Sequence, residues 1–335
     1  MKVLIIGGTG LISTGIVKGL RERGAVITVF NRGQTDDRLG DGVQRLVGDR
    51  QDFPAFENIV AAAGPWDVVI DMICFRPGEA ASLLRACAGR CGHLIFCSTV
   101  CTYGNTQTVM PTTEETPQAP HSEYGRNKLA CEQLFLQAHA AGKLPVTIIR
   151  PSHTYGPGGT LINNLHTGPS FLARLRAGRP IIVSGDGHGL WQSAYADDVG
   201  RGFAYAAGNP GCFGQAYNAV ADEVVTWDQY VLRTAAAIGA SAPRLVHLPT
   251  DLLVALDPKQ YVGLDEIFRF HGVYSNAKLK RDVPEFRLTV PYEEGVRRTV
   301  DWIDRHKPVP PLTDDTAEDR LIAAWDKFAA TAPRA

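Results

Sequence analysis

Net charge is nearly absent from this chain: 34 basic against 35 acidic residues leave a formal charge of −1. No five or six like charges stand in a row. A sequence so balanced offers no basic stripe to a phosphate backbone or an anionic bilayer surface, so neither nucleic acid nor membrane is expected among its partners. Apolar runs of membrane-spanning length are also missing, and a strand-like run begins at Lys2, where a signal peptide would need its charged and apolar regions. A cytoplasmic protein is therefore expected. The cysteines number seven, an odd count, and fall mainly in strand-like and helix-like runs, which excludes a disulfide framework. Cys87 and Cys91 lie one helical turn apart, but no other Cys/His pair completes a zinc site, so no metal is expected.

What the chain does have is length and apolar content enough for a sizeable core: 335 residues, 44% of them hydrophobic. Up to Arg150, strand-like runs (Val26–Phe30, Val43–Val47, Val68–Asp71, Leu94–Ser98, Val146–Ile149) alternate with helical segments (Leu11–Arg23, Pro54–Ala63, Gly78–Arg90, Glu123–Ala141). That rhythm predicts an α/β fold, a parallel sheet with helices on both faces. Past Arg150, Gly and Pro become frequent, and short strands (Ile181–Val183, Ala216–Asn218, Leu245–Leu248) mix with helices such as Trp227–Ile238. The expected division is a dinucleotide-binding domain over 1–150, to which some later segments return, a mainly substrate-binding region over 151–310, and a helix and tail over 311–335. In that tail Leu321, Ile322, Trp325 and Phe328 recur at helical spacing. The spacing suits a packing helix, with a homodimer contact as the alternative.

Two local patterns carry chemistry. Gly7-Gly8-Thr9-Gly10 stands between the apolar run Val3–Ile6 and the helical segment from Leu11. A strand, a tight glycine turn and a helix N-terminus let a pyrophosphate approach backbone N–H groups that a Cβ would screen. Far downstream, Tyr124-Gly125-Arg126-Asn127-Lys128 sets a phenol and an ammonium four residues apart on one helix face. A phenol with an ordinary pKa of about 10 needs help to exchange a proton at neutral pH, and a neighbouring ammonium supplies it.

Together with three further segments these patterns resemble the extended branch of the short-chain dehydrogenase/reductases, the NAD-dependent epimerase/dehydratase family. The segments are Phe96 to Gly104, Arg150-Pro151-Ser152-His153-Thr154-Tyr155-Gly156-Pro157, and Gly185-Asp186-Gly187 followed by Tyr195-Ala196-Asp197-Asp198-Val199. They occur in the family's order, from Met1 to about Arg305. The resemblance implies a Rossmann-type doubly wound sheet with a smaller C-terminal mixed α/β substrate-binding region. It implies Thr99, Tyr124 and Lys128 as catalytic residues. It also implies a cofactor site of Gly7, Thr9, Gly10, Leu11, Ile12, Asn31, Arg32, Asp49 and Lys128, with Asp49 on the adenine amino group.

Departures from the family pattern refine the expectation. Ser13 takes the place of a third glycine, with Gly15 nearby to relieve crowding. At the end of the second strand, Asn31 and Arg32 stand where an NAD-preferring member carries an acid, so NADP(H) is favoured, with NAD(H) as the alternative. Val100 and Cys101 replace the Asp-Glu pair of the sugar-nucleotide dehydratases. Cys101 coincides with the acid/base Cys of a hexose epimerase, and His153 replaces an Asn. Trp191 stands where nucleotide-sugar enzymes place a diphosphate-binding Arg, and it offers a stacking face for a sugar instead. Cys101, Glu123, His153 and Trp191 are thus the candidate substrate contacts. Acidic candidates such as Glu123, Asp257, Asp265 and Glu266 would suit a cationic substrate.

The combined reading is an NADP(H)-dependent oxidoreductase that reduces a ketone, or oxidises the alcohol, on a carbohydrate-like small molecule, of aminosugar or aminocyclitol type rather than a nucleotide sugar. The alternatives are an epimerase that reduces bound cofactor transiently and, in another class, a non-catalytic cofactor-sensing or RNA-associated protein.

Overall fold

In the computed structural model, residues 1–34, 39–105, 109–165 and 168–331 are described. They form two compact units: one of Met1–Thr154, Gln192–Glu223 and Val273–Val290, the other of Tyr155–Trp191, Val224–Gly272 and Pro291–Ala335. Residues 192–223 and 273–290 thus lie with the N-terminal unit, and the tail helix Ala317–Thr331 lies with the second.

The first unit is built on β1 (Lys2–Ile6), α1 (Leu11–Glu22), β2 (Val26–Asn31), β3 (Val43–Val47), α2 (Phe53–Ala63), β4 (Trp66–Asp71), α3 (Pro77–Cys87), β5 (Cys91–Cys97), α4 (Glu123–Ala140) and β6 (Val146–Pro151). The strand Ala216–Ala219 closes the far edge, so the sheet has seven strands in the order Ala216–Ala219, β6, β5, β4, β1, β2, β3. All of its pairings are parallel. Such strands carry apolar side chains on both faces, which is why Val3, Leu4, Ile5 and Ile6 are all buried. Val3 and Ile5 enter the apolar cluster with α1 and the helix Ala196–Ala206, whereas Leu4 and Ile6 enter that with α2, α3 and α4. The order reverses between β1 and β4, the switch point at which doubly wound sheets open a ligand crevice.

Ser13 does more than tolerate the place of a glycine. It is fully buried, and its hydroxyl donates to Gly7 O at 2.9 Å, bracing the turn. Close packing has moved to Gly15 and Gly200, where α1 meets the helix Ala196–Ala206. A Cβ on Gly15 would stand 2.7 Å from Asp197 Cα, and one on Gly200 would stand 2.4 Å from Gly15 C.

In the second unit, Ile181–Ser184 pairs in parallel with Leu245–Leu248, and Leu190–Trp191 pairs antiparallel with Val225–Thr226. Its interior is aromatic. Trp191 stacks on Trp227 at 4.7 Å, Phe268 meets both edge-on, and Tyr230 packs on Trp227 and Tyr292. Among the described residues no helix is long and apolar enough to cross a membrane.

A buried histidine makes the first unit acid-sensitive. His93 Nδ1 accepts from Gly208 N at 3.1 Å, which places the ring proton on Nε2, facing Thr147 Oγ1 at 2.9 Å. Burial, with a smaller push from His139, lowers its pKa to about 4. The unfolded chain binds this proton at about pH 6.5 and the folded chain only near 4, so stability is whole above 6.5 and falls between those values. Urea unfolding should lose on the order of 3 kcal/mol between pH 7 and 4 from this site. A flat profile over that range would contradict the assignment.

Candidate active site

A cleft of about 470 Å³ opens at the C-terminal ends of β1, β2, β3 and β4. Its wall takes in Gly7, Thr9 and Gly10 from the first turn, Asn31 and Arg32 from the end of β2, and Asp49 and Arg50 from beyond β3. Gly7 turns through φ 81°, and a Cβ there would strike Ile73 Cγ2 at 2.5 Å. Gly10 caps α1 without any side-chain bond, so the first N–H groups of that helix stay available at the cleft. Asn31 Oδ1 accepts from Gly33 N at 2.9 Å and shapes the loop that displays Arg32. Asp49 Oδ1 accepts from Gln51 N at 2.8 Å in the same manner. A free helix N-terminus, a glycine turn and a cationic rim fit the diphosphate of a dinucleotide. Leu11 and Ile12 begin α1 and are half-buried.

The structure brings Thr99, Tyr124 and Lys128 together beside this cleft. Thr99 caps the short turn Val100–Tyr103 after β5, accepting from Cys101 N at 3.2 Å. That turn lies directly on the first turn of α4, because Gly125 has no Cβ: one would stand 2.5 Å from Cys101 O. Ser122 caps α4, accepting from Gly125 N at 3.0 Å. The Tyr124 ring keeps 43% exposure, while its hydroxyl end sits among protein atoms. Burial there, reinforced by Cys97 and Cys101, pushes the phenol above its ordinary range, and a hydrogen bond with Thr99 offsets part of the rise. Lys128 is buried one turn on. Its Nζ donates to Cys97 O at 2.7 Å, lies over the rings of Phe75 and Phe96 at 4.6 and 4.8 Å, and is 5.9 Å from the centre of Tyr124.

Of the substrate candidates, Cys101 is half-buried in the turn that Thr99 caps, and Glu123 is exposed at the start of α4. His153 pairs with Ser193 Oγ at 2.8 Å, and burial lowers its pKa to about 4, so the ring is neutral at pH 7. Trp191 requires a correction. It is only 7% exposed in the second unit, with one face covered by Trp227 and with Phe268 at its edge. The face expected to receive a sugar is occupied by core aromatics. Asp265 is likewise engaged, by Arg269 at 2.8 Å.

Sequence reasoning missed the polar network behind α4. Arg150 Nε and Nη2 hold Glu132 in a buried bidentate pair at 2.9 and 2.6 Å, and Nη1 donates to Tyr103 Oη at 2.7 Å. Ser98 Oγ and Gln118 Nε2 donate to the same carboxylate. The available signal was spacing: Tyr124, Lys128 and Glu132 recur every fourth residue, on one helix face.

The sequence profile described as "NAD dependent epimerase/dehydratase family" matches residues 3–219. The chain belongs to that family of short-chain dehydrogenase/reductase enzymes, built on a Rossmann-like fold with a parallel central sheet. It is 32% identical over 239 residues to a 2'-dehydrokanamycin reductase of Streptomyces kanamyceticus, covering 71% of this chain and 67% of that one. It is 30% identical over 294 residues to the chloroplast stem-loop binding protein of 41 kDa b of Arabidopsis thaliana, covering 84% and 72%. In structure it is similar to dTDP-glucose 4,6-dehydratase of Bacillus anthracis, solved in complex with NAD. The TM-score is 0.73, with 19% identity, over 92% of this chain and 97% of that one.

Because removing one partner of a buried ion pair strands the other charge, Glu132→Gln should destabilise the protein by about 3–5 kcal/mol in urea unfolding. A loss below about 1 kcal/mol, the size typical of an exposed pair, would show that the network holds nothing in place.

Proposed function

We propose that this chain is an NADP(H)-dependent reductase of a ketone on a carbohydrate-like small molecule, of aminosugar or aminocyclitol type. The state of Tyr124 carries the reading. Burial, with Cys97 and Cys101 nearby, keeps its hydroxyl protonated, while the Lys128 ammonium is bonded to Cys97 O. A phenol protonated at neutral pH is the proton donor that the reductive direction uses. When bound, the dinucleotide supplies the hydride. Thr99 Oγ1 then orients the ketone oxygen, and the Tyr124 hydroxyl gives that oxygen its proton. Lys128, one turn along α4, steadies the phenolate left behind.

Support for NADP(H) comes from the end of β2, where Asn31 is spent on the Gly33 turn and Arg32 is exposed at the cleft rim. At the end of β2 itself no acid stands against a 2′-phosphate, and the Arg32 guanidinium can pair with it. Support for the substrate class comes from the relative named 2'-dehydrokanamycin reductase and from Glu123, an exposed carboxylate beside Tyr124 that suits an ammonium. The relative named for binding a stem-loop favours a second reading, a nucleic-acid-binding protein. A formal charge of −1 gives that reading little electrostatic footing. The epimerase alternative differs in stoichiometry.

With a keto-aminosugar and NADPH, one NADPH should be consumed per product; product formed without net consumption would mean an epimerase. The reductive kcat/KM should stay level through neutral pH and fall only in strongly alkaline solution, where the phenol ionises. Tyr124→Phe should reduce turnover by about 10²–10⁴-fold with the NADPH Kd nearly unchanged, since only the proton-carrying hydroxyl is lost. Substantial turnover in that variant would refute the mechanism. Arg32→Ala should weaken NADPH by about 1.5–3 kcal/mol and leave NADH nearly untouched in calorimetry. Equal losses for both would remove the case for NADP(H).

A further inference from the structure

We infer that Phe75 is a positioning residue for Lys128: its ring face holds the ammonium beside Tyr124 and leaves N–H groups of that ammonium to serve the reaction. The inference rests on reading Lys128 as the partner of the Tyr124 phenol. Lys128 is only 1% exposed, and a buried charge is costly unless something compensates it. Among the described residues, Cys97 O at 2.7 Å is the one hydrogen-bond acceptor of Nζ, and no carboxylate pairs with it. Asp71 acts on it at longer range and is itself paired with Arg50. The compensation comes from rings. Nζ lies 4.6 Å from the centre of Phe75, 4.8 Å from that of Phe96 and 5.9 Å from that of Tyr124, all within the distance at which an aromatic face attracts a cation.

The three rings are not equivalent. Phe96 is a fully buried residue of β5 that packs on Phe135 at 5.0 Å, so the apolar core accounts for its place. Tyr124 carries the reacting phenol. Phe75 lies outside that core cluster and stays 45% exposed in the wall of the cleft. A ring left so open gains little from burial, and its aromatic and cationic contacts are Lys128 and, with 6.5 Å between ring centres, Tyr124. The loop that carries it is braced: Ile73 N donates to Asp71 Oδ1 at 3.0 Å, and Phe75 N donates to Glu79 Oε2 at 2.5 Å. A carboxylate in place of the ring would bind the ammonium more strongly, but it would take up N–H donors and oppose the negative charge that forms on Tyr124 when the phenol gives up its proton. A ring face attracts the ammonium through its quadrupole and does neither.

Mono-, di- and trifluorinated phenylalanine, placed at position 75 of the full chain, drain negative charge from the ring face and nearly keep its shape. With NADPH and a keto-aminosugar, kcat should fall stepwise along the series, by roughly three- to tenfold at the trifluoro member, with KM for both substrates nearly unchanged. Phe75→Tyr, which keeps an aromatic face, should retain the wild-type kcat. Urea unfolding of the same series reads the contact without any substrate: fluorination should lower stability when Lys128 is present and leave it unchanged in the Lys128→Met background. A kcat indifferent to fluorination, or an equal stability loss in both backgrounds, would overturn the inference, because a ring that matters only for its shape gives those results. If the wild-type protein reduces no keto-aminosugar, the reductase reading fails, and the two unfolding series alone decide whether Phe75 holds the ammonium.

Discussion

The Arg150–Glu132 pair is the constraint on which the arrangement of the first unit turns. It joins the last residues of β6 to the middle of α4 in a bidentate bond with both side chains almost wholly buried. Arg150 reaches Tyr103 in the turn after β5, and Tyr103 Oη donates to Asn218 Oδ1 in the edge strand at 2.9 Å. Ser98, one residue before Thr99, donates to Glu132. One carboxylate thereby registers α4 against β6 and the end of β5, which are the elements that carry Tyr124, Lys128 and Thr99. A hydrophobic replacement could hold these elements as firmly, but only directional bonds specify their rotation and register.

A second buried pair, Arg50–Asp71, spans the switch point, from beyond β3 to the end of β4. The two differ in how far the guanidinium is satisfied: each of the Arg150 nitrogens has a partner, whereas two of the Arg50 nitrogens have none among the described residues. Desolvation raises the Asp71 pKa, and the nearby Arg50 charge opposes it, so the carboxylate depends on the guanidinium it fixes.

The substrate question is narrowed by what the second unit does with its aromatics. Trp191, Trp227, Phe268, Tyr230 and Tyr292 pack on one another, which makes Trp191 part of an aromatic core and not an open stacking face. Around Tyr124 the described polar surroundings are Glu123, exposed at the start of α4, and the turn that carries Cys101, while His153 is neutral at physiological pH.

Features that depend on contiguous residues were legible in the sequence. The strands β1 to β6, the glycine turn and the phenol–ammonium pair of α4 each declare themselves within a short window, because periodicity and turn chemistry are local. The parallel α/β sheet and its family followed from the order of those windows. Contacts between distant windows were not legible. The run Ala216–Asn218 reads as one short strand among several, and only pairing with β6 makes it the sheet's edge. Trp191 reads as a stacking face until Trp227 covers it. Ser13 reads as a tolerated substitution until its hydroxyl is seen to close on Gly7 O, with the close helix contact moved to Gly15 and Gly200. Arg50 reads as nothing in particular. Its bonds to Asp71 and Glu79 exist only once the ends of β3 and β4 and the start of α3 converge, because whether a polar group is satisfied is a property of its surroundings and not of its place in the chain.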